Sequence, residues 1–534
     1  MLVRLFETPE IEKEGPTSSS SSFPDNQAKP VQRQPQGSLA AGPLAGQEQE
    51  WVSGFMLLRI MMVITFPCFL LMLDTSIVVT AIPVITSDFH SLPDAGWYGS
   101  AYLISGAVLQ PLTGKLYINF HTKWTFLTLF AIFELGSLLC GVAKSFRMLI
   151  VGRAVAGMGA SGILNGTLTI IAGCIPMPKR PALIGFVTGS FYVNLPIGGL
   201  VVLLIVVVHV PDQLPKPPAT KALHTLPSKL DLIGFAIFAP AAIQLLLALQ
   251  YGGNTFAWNS VQNIGLFCGS GCTFIVFLAW DYHKGDDAMI PLSMLRKKVV
   301  WASCLTYTFF LGQVYCVTYY LPIYFQGVKG VSPMLSGVYI LPVVITHVIF
   351  ALGSGAVVGK VGYYLPFMAI GSISVAIGNG LLSTLMPDTS TVKWIGYQII
   401  IGPDRGLGLQ IPIIAIQNTL SPPQIPVAMA LVMFGQALSG SVFLNLCHAI
   451  FTNSLNDLIP QDALSVNVLT SIDAGAAGIQ TSVHQPDLAG VLVAYAESVG
   501  RVFYLTAGLA VGSFVFGWFM GSKDIRRNIQ TSMV

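Results

Sequence analysis

About thirteen apolar stretches run through this chain, and each is long enough to cross the hydrocarbon of a lipid bilayer. Only 10% of the 534 residues are charged against 53% hydrophobic, and the charges gather between the stretches. In lipid, only hydrogen-bonded helices and closed barrels satisfy their backbone polar groups. Barrel strands alternate strictly between apolar and polar residues, whereas residues 201–208 and 241–249 are apolar on every side. The sequence therefore predicts an all-α polytopic membrane protein.

The apolar stretches give the expected order of spans along the chain. They lie near residues 55–85, 95–118, 124–143, 148–175, 183–210, 230–250, 263–282, 299–325, 335–358, 366–386, 394–420, 427–455 and 502–521. Residues 1–54 differ in composition, with a serine run and scattered proline and glutamine, and they are predicted to form a disordered cytoplasmic tail.

The basic residues set the orientation of the spans, because cytoplasmic loops collect lysine and arginine. Clusters that we expect in the cytoplasm lie around Lys115, Lys179, Lys216, Arg296 and Lys523. Residues 456–498 contain acids but no lysine or arginine, which predicts an extracellular loop. Both chain termini are then expected inside.

This orientation exposes a shortage of residues in the fifth span. The clusters at Lys179 and Lys216 both belong inside, so an even number of crossings must separate them. Two spans need at least about 34 residues and a turn, whereas only about 30 residues lie between the clusters. That stretch can hold one ordinary span or a re-entrant hairpin, but not two spans.

Several classes of function are disfavoured by what the sequence lacks. It contains no H-E-x-x-H, no G-x-x-x-x-G-K-[ST] and no G-x-S-x-G placed on a strand-to-helix turn. The formal net charge of +3 is too small and scattered for a nucleic-acid partner. The eight cysteines lie within or against apolar stretches and form no metal-ligand pattern. We expect no enzyme, metal site or cofactor, and transport coupled to an ion gradient is the simplest alternative.

Three charged residues within spans are candidates for proton coupling. Asp74 lies in the middle of the first span, where a carboxylate costs at least about 2.5 kcal/mol. Arg153 opens the fourth span among glycines; it keeps its charge, so losing its contact with a carboxylate would admit or release a proton on that acid. Glu134 in the third span is a third candidate, equally able to pair with Arg153 or with a polar neighbour. The alternatives are a structural carboxylate between helices and an arginine that extends to the membrane surface.

Uncharged polar residues within the spans are candidates for lining a substrate cavity. Gln110, Gln313, Gln410 and Gln436 suit an organic substrate, although hydrogen bonds between helices explain them equally well. His347 could titrate near neutral pH, but a single histidine in an apolar helix is more often simply hydrogen-bonded.

Five motifs resemble those of a known family of membrane transporters. They are LDTSIVVTAIP at 73–83, WYGSAYL at 97–103, QPL with GKLY at 110–117, GRAVAGMGASG at 152–162 and NLPIGG at 194–199. Together they are similar to the major facilitator superfamily, in particular its fungal branch of 14-span drug and proton antiporters. An echo of residues 114–126 in residues 355–367 agrees with the duplicated architecture of such transporters.

The resemblance implies a major facilitator fold of about 13 to 14 helices. Residues 55–210 would form the N-terminal bundle, 211–298 a cytoplasmic linker with two extra spans, 299–521 the C-terminal bundle and 522–534 a cytoplasmic tail. Two six-helix bundles would rock around a central cavity, so that proton entry drives export of a toxic or secondary-metabolite organic molecule and confers drug resistance. The resemblance also favours a monomer, in the plasma membrane or alternatively the vacuolar membrane. An uptake permease for a small organic solute or iron chelate, and an inactive membrane protein, stay open as alternatives.

Two departures from the family pattern bear on function. The exporter motif G-x-x-x-G-P-x-x-G-G of the fifth span has no match between residues 181 and 191, where the charge argument also finds too few residues. Asp404 and Arg405 place two charges deep in a span where the family usually has an apolar glycine-rich stretch. They are expected either to pair with each other or to line the substrate cavity.

Overall fold

The computed structural model describes residues 54–88, 95–181, 183–184, 230–253, 256–462, 483 and 487–526. Within these ranges the chain is helical and contains no β-strand, so the predicted all-α fold is confirmed. Ten helical segments there are long and apolar enough to cross a bilayer. All but the last residue of the predicted tail 1–54, and most of the predicted fifth span, lie outside the described residues.

Fifteen α-helices occupy the described ranges. They are α1 Gly54–Asp88, α2 Ala95–Asn119, α3 Thr122–Gly141, α4 Phe146–Cys174, α5 Leu232–Tyr251, α6 Val261–Lys284, α7 Leu292–Leu295, α8 Lys298–Ile323, α9 Pro333–Tyr339, α10 Leu341–Val361, α11 Leu365–Leu382, α12 Thr391–Gly408, α13 Ile411–Thr419, α14 Ile425–Asp462 and α15 Leu488–Trp518. Two predicted spans are each divided into two helices, one into α9 and α10 and the other into α12 and α13.

Helices α1 to α4 pack together through small residues. Helix α4 packs against α1, α2 and α3. A Cβ atom on Gly136 of α3 would overlap the backbone of Ala156, and one on Gly157 of α4 would overlap the carbonyl of Tyr102. Glycine at these positions allows the backbones to approach as closely as they do.

The second half of the chain forms a bundle of its own. Helix α8 packs against α14 and α15, helix α12 packs against α10 and α11, and α11 packs against α15. The two predicted extra spans, α5 and α6, pack against each other, and α5 also contacts α2 and α14.

The two halves meet at one end of the molecule. A Cβ atom on Gly114, near the end of α2, would lie 2.8 Å from the Cα of Val427 at the start of α14. At the same end, Gln417 donates a hydrogen bond to the carbonyl oxygen of Leu168 at 3.3 Å. Lys115 Nζ donates to the carbonyl oxygen of Asp287 at 3.3 Å. This end carries the basic clusters and is therefore the one that the charge pattern predicts to be cytoplasmic.

The structure describes the two ends of the predicted extracellular loop 456–498. Helix α14 continues to Asp462 and α15 begins at Leu488, so both ends of that segment are helical. Val491, Tyr495 and Val499 of α15 are buried against neighbouring helices. Charged residues mark contact with water, but a helix continues past the bilayer when packing supports it.

Candidate transport site

Asp74 and Arg153, both predicted from the sequence, form a buried ion pair. Arg153 Nη1 on α4 donates to Asp74 Oδ2 on α1. Ser137 Oγ on α3 donates to Asp74 Oδ1 at 3.5 Å. The Arg153 side chain is 2% exposed and that of Asp74 15%. Three helices thus meet at a single carboxylate, which satisfies the requirement that an intramembrane charge has a partner.

Tyr102 of α2 completes this cluster. The guanidinium carbon of Arg153 lies over the Tyr102 ring, 4.3 Å from its centroid, in a cation–π arrangement. Gly157, one helical turn after Arg153, lets α2 and α4 approach at the Tyr102 carbonyl. Reasoning from single residues missed Tyr102, although it lies within the motif WYGSAYL.

Glu134 does not join the pair. Its neighbours Phe133 and Gly136 face α4, which turns the Glu134 side chain to the exposed side of α3. No hydrogen bond or ion pair links Glu134 to another described residue. Arg153 therefore contacts Asp74 and not Glu134, and a role for Glu134 stays a prediction.

A cavity with two chambers lies between the two halves of the molecule. The large chamber, of about 700 Å³, is bordered by α2 and α4 on one side and by α8 and α14 on the other. The small chamber, of about 200 Å³, is bordered by α4, α8 and α12, among other elements. Both are lined by Leu164, Tyr315, Met433 and Gln436. Gln436 Nε2 donates to the Tyr315 hydroxyl at 3.1 Å in this shared wall.

The walls of the two chambers differ in charge. Among the described residues that line the large chamber there is no Asp, Glu, Lys or Arg; its polar groups are amides, hydroxyls and one imidazole. Tyr102, Tyr319 and Tyr320 give it aromatic surfaces. The small chamber is lined by Arg405 and His347 among mostly apolar side chains. Concave, mainly apolar sites with a few placed polar groups are typical of small-molecule binding.

Comparison with known proteins gives the family. The profile of the Major Facilitator Superfamily matches residues 64–444. The chain belongs to that superfamily. It is 56% identical over 511 residues to the "MFS-type transporter pigP" of Monascus ruber, covering 91% of this chain and 89% of that protein. It is 46% identical to the "Efflux pump mlcE" of Penicillium citrinum, covering 91% and 94%.

Solved structures agree with this membership at the level of fold. The major facilitator proton:xylose symporter XylE aligns over 88% of this chain and 97% of its own, with a TM-score of 0.53 and 15% sequence identity. The family resemblance predicted from the motifs is confirmed. As a major facilitator protein, the chain is a multi-pass membrane transporter and not an enzyme.

In this major facilitator protein, the predicted cavity residues occupy different places. Gln110 lines the large chamber and Arg405 the small one. Gln313, Gln410 and Asp404 are buried and line neither chamber. Gln410 Nε2 donates to the carbonyl oxygen of Ala351 at 3.2 Å, which matches the alternative of a hydrogen bond between helices.

Asp404 and Arg405 do not pair with each other. Asp404 Oδ2 accepts a hydrogen bond from Gln313 Nε2 at 3.1 Å. Arg405 Nη2 donates to Thr318 Oγ1 at 3.1 Å and to the carbonyl oxygen of Val314 at 3.3 Å. Successive residues of a helix point in different directions, so the expected self-pairing does not form.

Proposed function

We propose that this protein exports an organic small molecule, a toxic compound or secondary metabolite, in exchange for protons. The plasma membrane is the proposed site of action, with the vacuolar membrane as the alternative. The similarity to the "Efflux pump mlcE" of Penicillium citrinum supports outward transport. The two-chambered cavity supports an organic substrate, and the ion pair beside it supports coupling to protons.

One observation carries the proposal: Tyr102 belongs both to the ion-pair cluster and to the cavity wall. Its ring contacts the Arg153 guanidinium, and it lines the large chamber. A proton that binds Asp74 removes the negative charge that holds Arg153. The guanidinium then moves relative to the Tyr102 ring that it lies over, and the substrate-binding surface that includes this ring changes with it. Proton binding and substrate binding thus become linked equilibria, for which coupling free energies of about 1 to 3 kcal/mol are typical.

Helix α2 connects this cluster to the contact between the two halves. Gly114 lies 12 residues after Tyr102, roughly 18 Å further along the helix axis. It packs against Val427 at the predicted cytoplasmic end, whereas Tyr102 lines the chamber. A rigid movement of α2 in response to the Asp74 proton would therefore alter both the chamber and the cytoplasmic contact. Such a movement is what alternating access requires.

The test uses purified full-length protein in liposomes that contain the pH dye pyranine. A neutral fluorescent probe, 1-pyrenemethanol, is added in the presence of a pH gradient, and probe-evoked proton movement is recorded. Exchange predicts that protons and probe move in opposite directions. We expect Asp74→Asn to abolish the proton movement, because an amide does not titrate.

The matched control is Asp457→Asn, since this exposed residue at the end of α14 lies outside the ion-pair cluster and the cavity lining. It should behave as the wild type. Co-movement of protons and probe would instead indicate the uptake permease. Probe transport that is indifferent to the pH gradient would overturn the proposal.

A further inference from the structure

Among the described residues that line the cavity, one carries a fixed charge. Arg405 lines the small chamber, and the other described lining residues of both chambers are apolar or carry amides, hydroxyls, thiol or imidazole. A guanidinium keeps its proton at any physiological pH. The small chamber therefore has a permanent positive charge in its wall, and the large chamber has none among its described lining residues.

The position of this charge is fixed by neighbouring backbone and side-chain oxygens. Val314 and Thr318, which accept from Arg405 Nη2, lie one turn apart on α8. The Arg405 side chain is 5% exposed. Asp404, the adjacent acid, instead accepts a hydrogen bond from Gln313. A planar guanidinium held in this way presents a defined surface to a carboxylate, which it binds with charge-assisted hydrogen bonds.

The two chambers adjoin at a wall that they share. Tyr315 and Gln436 line both, and their hydrogen bond lies at this junction. A molecule that occupies the large chamber between Tyr102 and Tyr320 reaches the chamber of Arg405 when the Tyr315 and Gln436 side chains move apart. The arrangement separates an uncharged aromatic compartment from a small cationic one.

We propose that the cavity selects an amphipathic organic anion. A flat apolar or aromatic body occupies the large chamber, and an acidic group, such as a carboxylate, binds Arg405 in the small chamber. This inference rests on the proposed function only in taking the cavity as the substrate site. It does not depend on proton coupling or on the direction of transport.

The test is an equilibrium binding measurement on the full-length protein in lipid nanodiscs. The probes are 1-pyrenebutyric acid, an anion at pH 7.5, and its uncharged methyl ester, both followed by fluorescence anisotropy. They share the same body and differ in the acidic group. We expect the wild type to bind the acid at least about tenfold more tightly than the ester. Equal affinity for the two probes would overturn the proposal without any variant.

Variants then assign the preference to Arg405. Arg405→Gln should weaken binding of the acid about tenfold and leave binding of the ester unchanged, and Arg405→Lys should retain part of the preference. Ester binding also reports whether each variant is folded. The control is Arg501→Gln, because Arg501 is an exposed arginine of α15 that lines neither chamber. If Arg405→Gln lost affinity for the acid and the ester equally, the assignment to Arg405 would be contradicted. These affinities do not depend on the outcome of the liposome proton assay.

Discussion

The guanidinium of Arg153 lies between a carboxylate and an aromatic ring, paired with Asp74 on one side and 4.3 Å from the Tyr102 ring centroid on the other. The carboxylate belongs to α1, the guanidinium to α4 and the ring to α2. Because Tyr102 also lines the large chamber, the charge state of Asp74 and the shape of the binding surface depend on the same guanidinium.

The Tyr102 ring should be required for coupling, whereas its hydroxyl should not. Cation–π contacts are worth roughly 0.5 to 2 kcal/mol and depend on the ring face. We expect Tyr102→Leu to slow probe-evoked proton movement about tenfold, and Tyr102→Phe to stay within about twofold of the wild type. The liposome pyranine assay measures both. A wild-type rate for Tyr102→Leu would show that the contact with Arg153 is only structural.

Gly157→Ala should destabilise the protein. The added Cβ overlaps the Tyr102 carbonyl, and overpacking of this kind typically costs about 1 to 3 kcal/mol. We expect the thermal unfolding midpoint in detergent to fall by at least about 3 °C. The control is Gly271→Ala on α6, which meets no atom within 4 Å and gains helix propensity. Unfolding of the two variants at the same temperature would contradict the close packing of α2 and α4.

Gly114→Leu should open the contact between the two halves at the predicted cytoplasmic end. Its side chain would collide with Val427 and Ala430 of α14. Cys68 lines the small chamber, so its accessibility reports the opening. We expect N-ethylmaleimide to modify Cys68 faster in this variant than in the wild type, as measured by peptide mass spectrometry. The control, Gly99→Leu near the other end of α2, meets no atom within 4 Å and should not change the rate.

Arg180 should stabilise the end of α4. Its guanidinium donates to the carbonyl oxygen of Ala172, in the last turn of α4, at 2.5 Å and to that of Ile175, the residue after the helix, at 2.8 Å. Hydrogen bonds to charged groups contribute about 1.5 to 3 kcal/mol, so Arg180→Gln should lower the unfolding midpoint by several degrees. Lys179→Gln removes the same charge from an exposed neighbour and should leave the midpoint within about 1 °C. Equal effects would assign the loss to net charge.

Hydropathy predicted the ten spans found among the described residues, because the bilayer imposes the same requirement on each of them. Hydropathy could not show which glutamines line the cavity and which form hydrogen bonds between helices. Gln110 lines the large chamber, whereas Gln410 bonds to the Ala351 carbonyl. The two side chains have identical chemistry and differ only in the direction that their helices give them. That direction is set by tertiary packing, which a single sequence does not display.

The sequence predicted that Asp74 and Arg153 each have a partner, but it could not show which acid pairs with Arg153. Both residues are too costly in lipid to lie unpaired, so a partner was expected for each. Glu134 satisfied the same sequence criterion as Asp74. Only the packing of Gly136 against Ala156, which turns Glu134 outward, distinguishes the two acids.

Helix α2 carries the Tyr102 ring, the Gln110 amide and the Gly114 contact along one continuous helix that includes Pro111. Each residue inserted or deleted in an α-helix turns everything beyond it by about 100°. A length change between Tyr102 and Gly114 would therefore point one of these groups away from its neighbour while the other stayed in place. The number of residues in this stretch is thus under stricter constraint than their identity, and homologous chains that work in the same way should differ there by substitution alone.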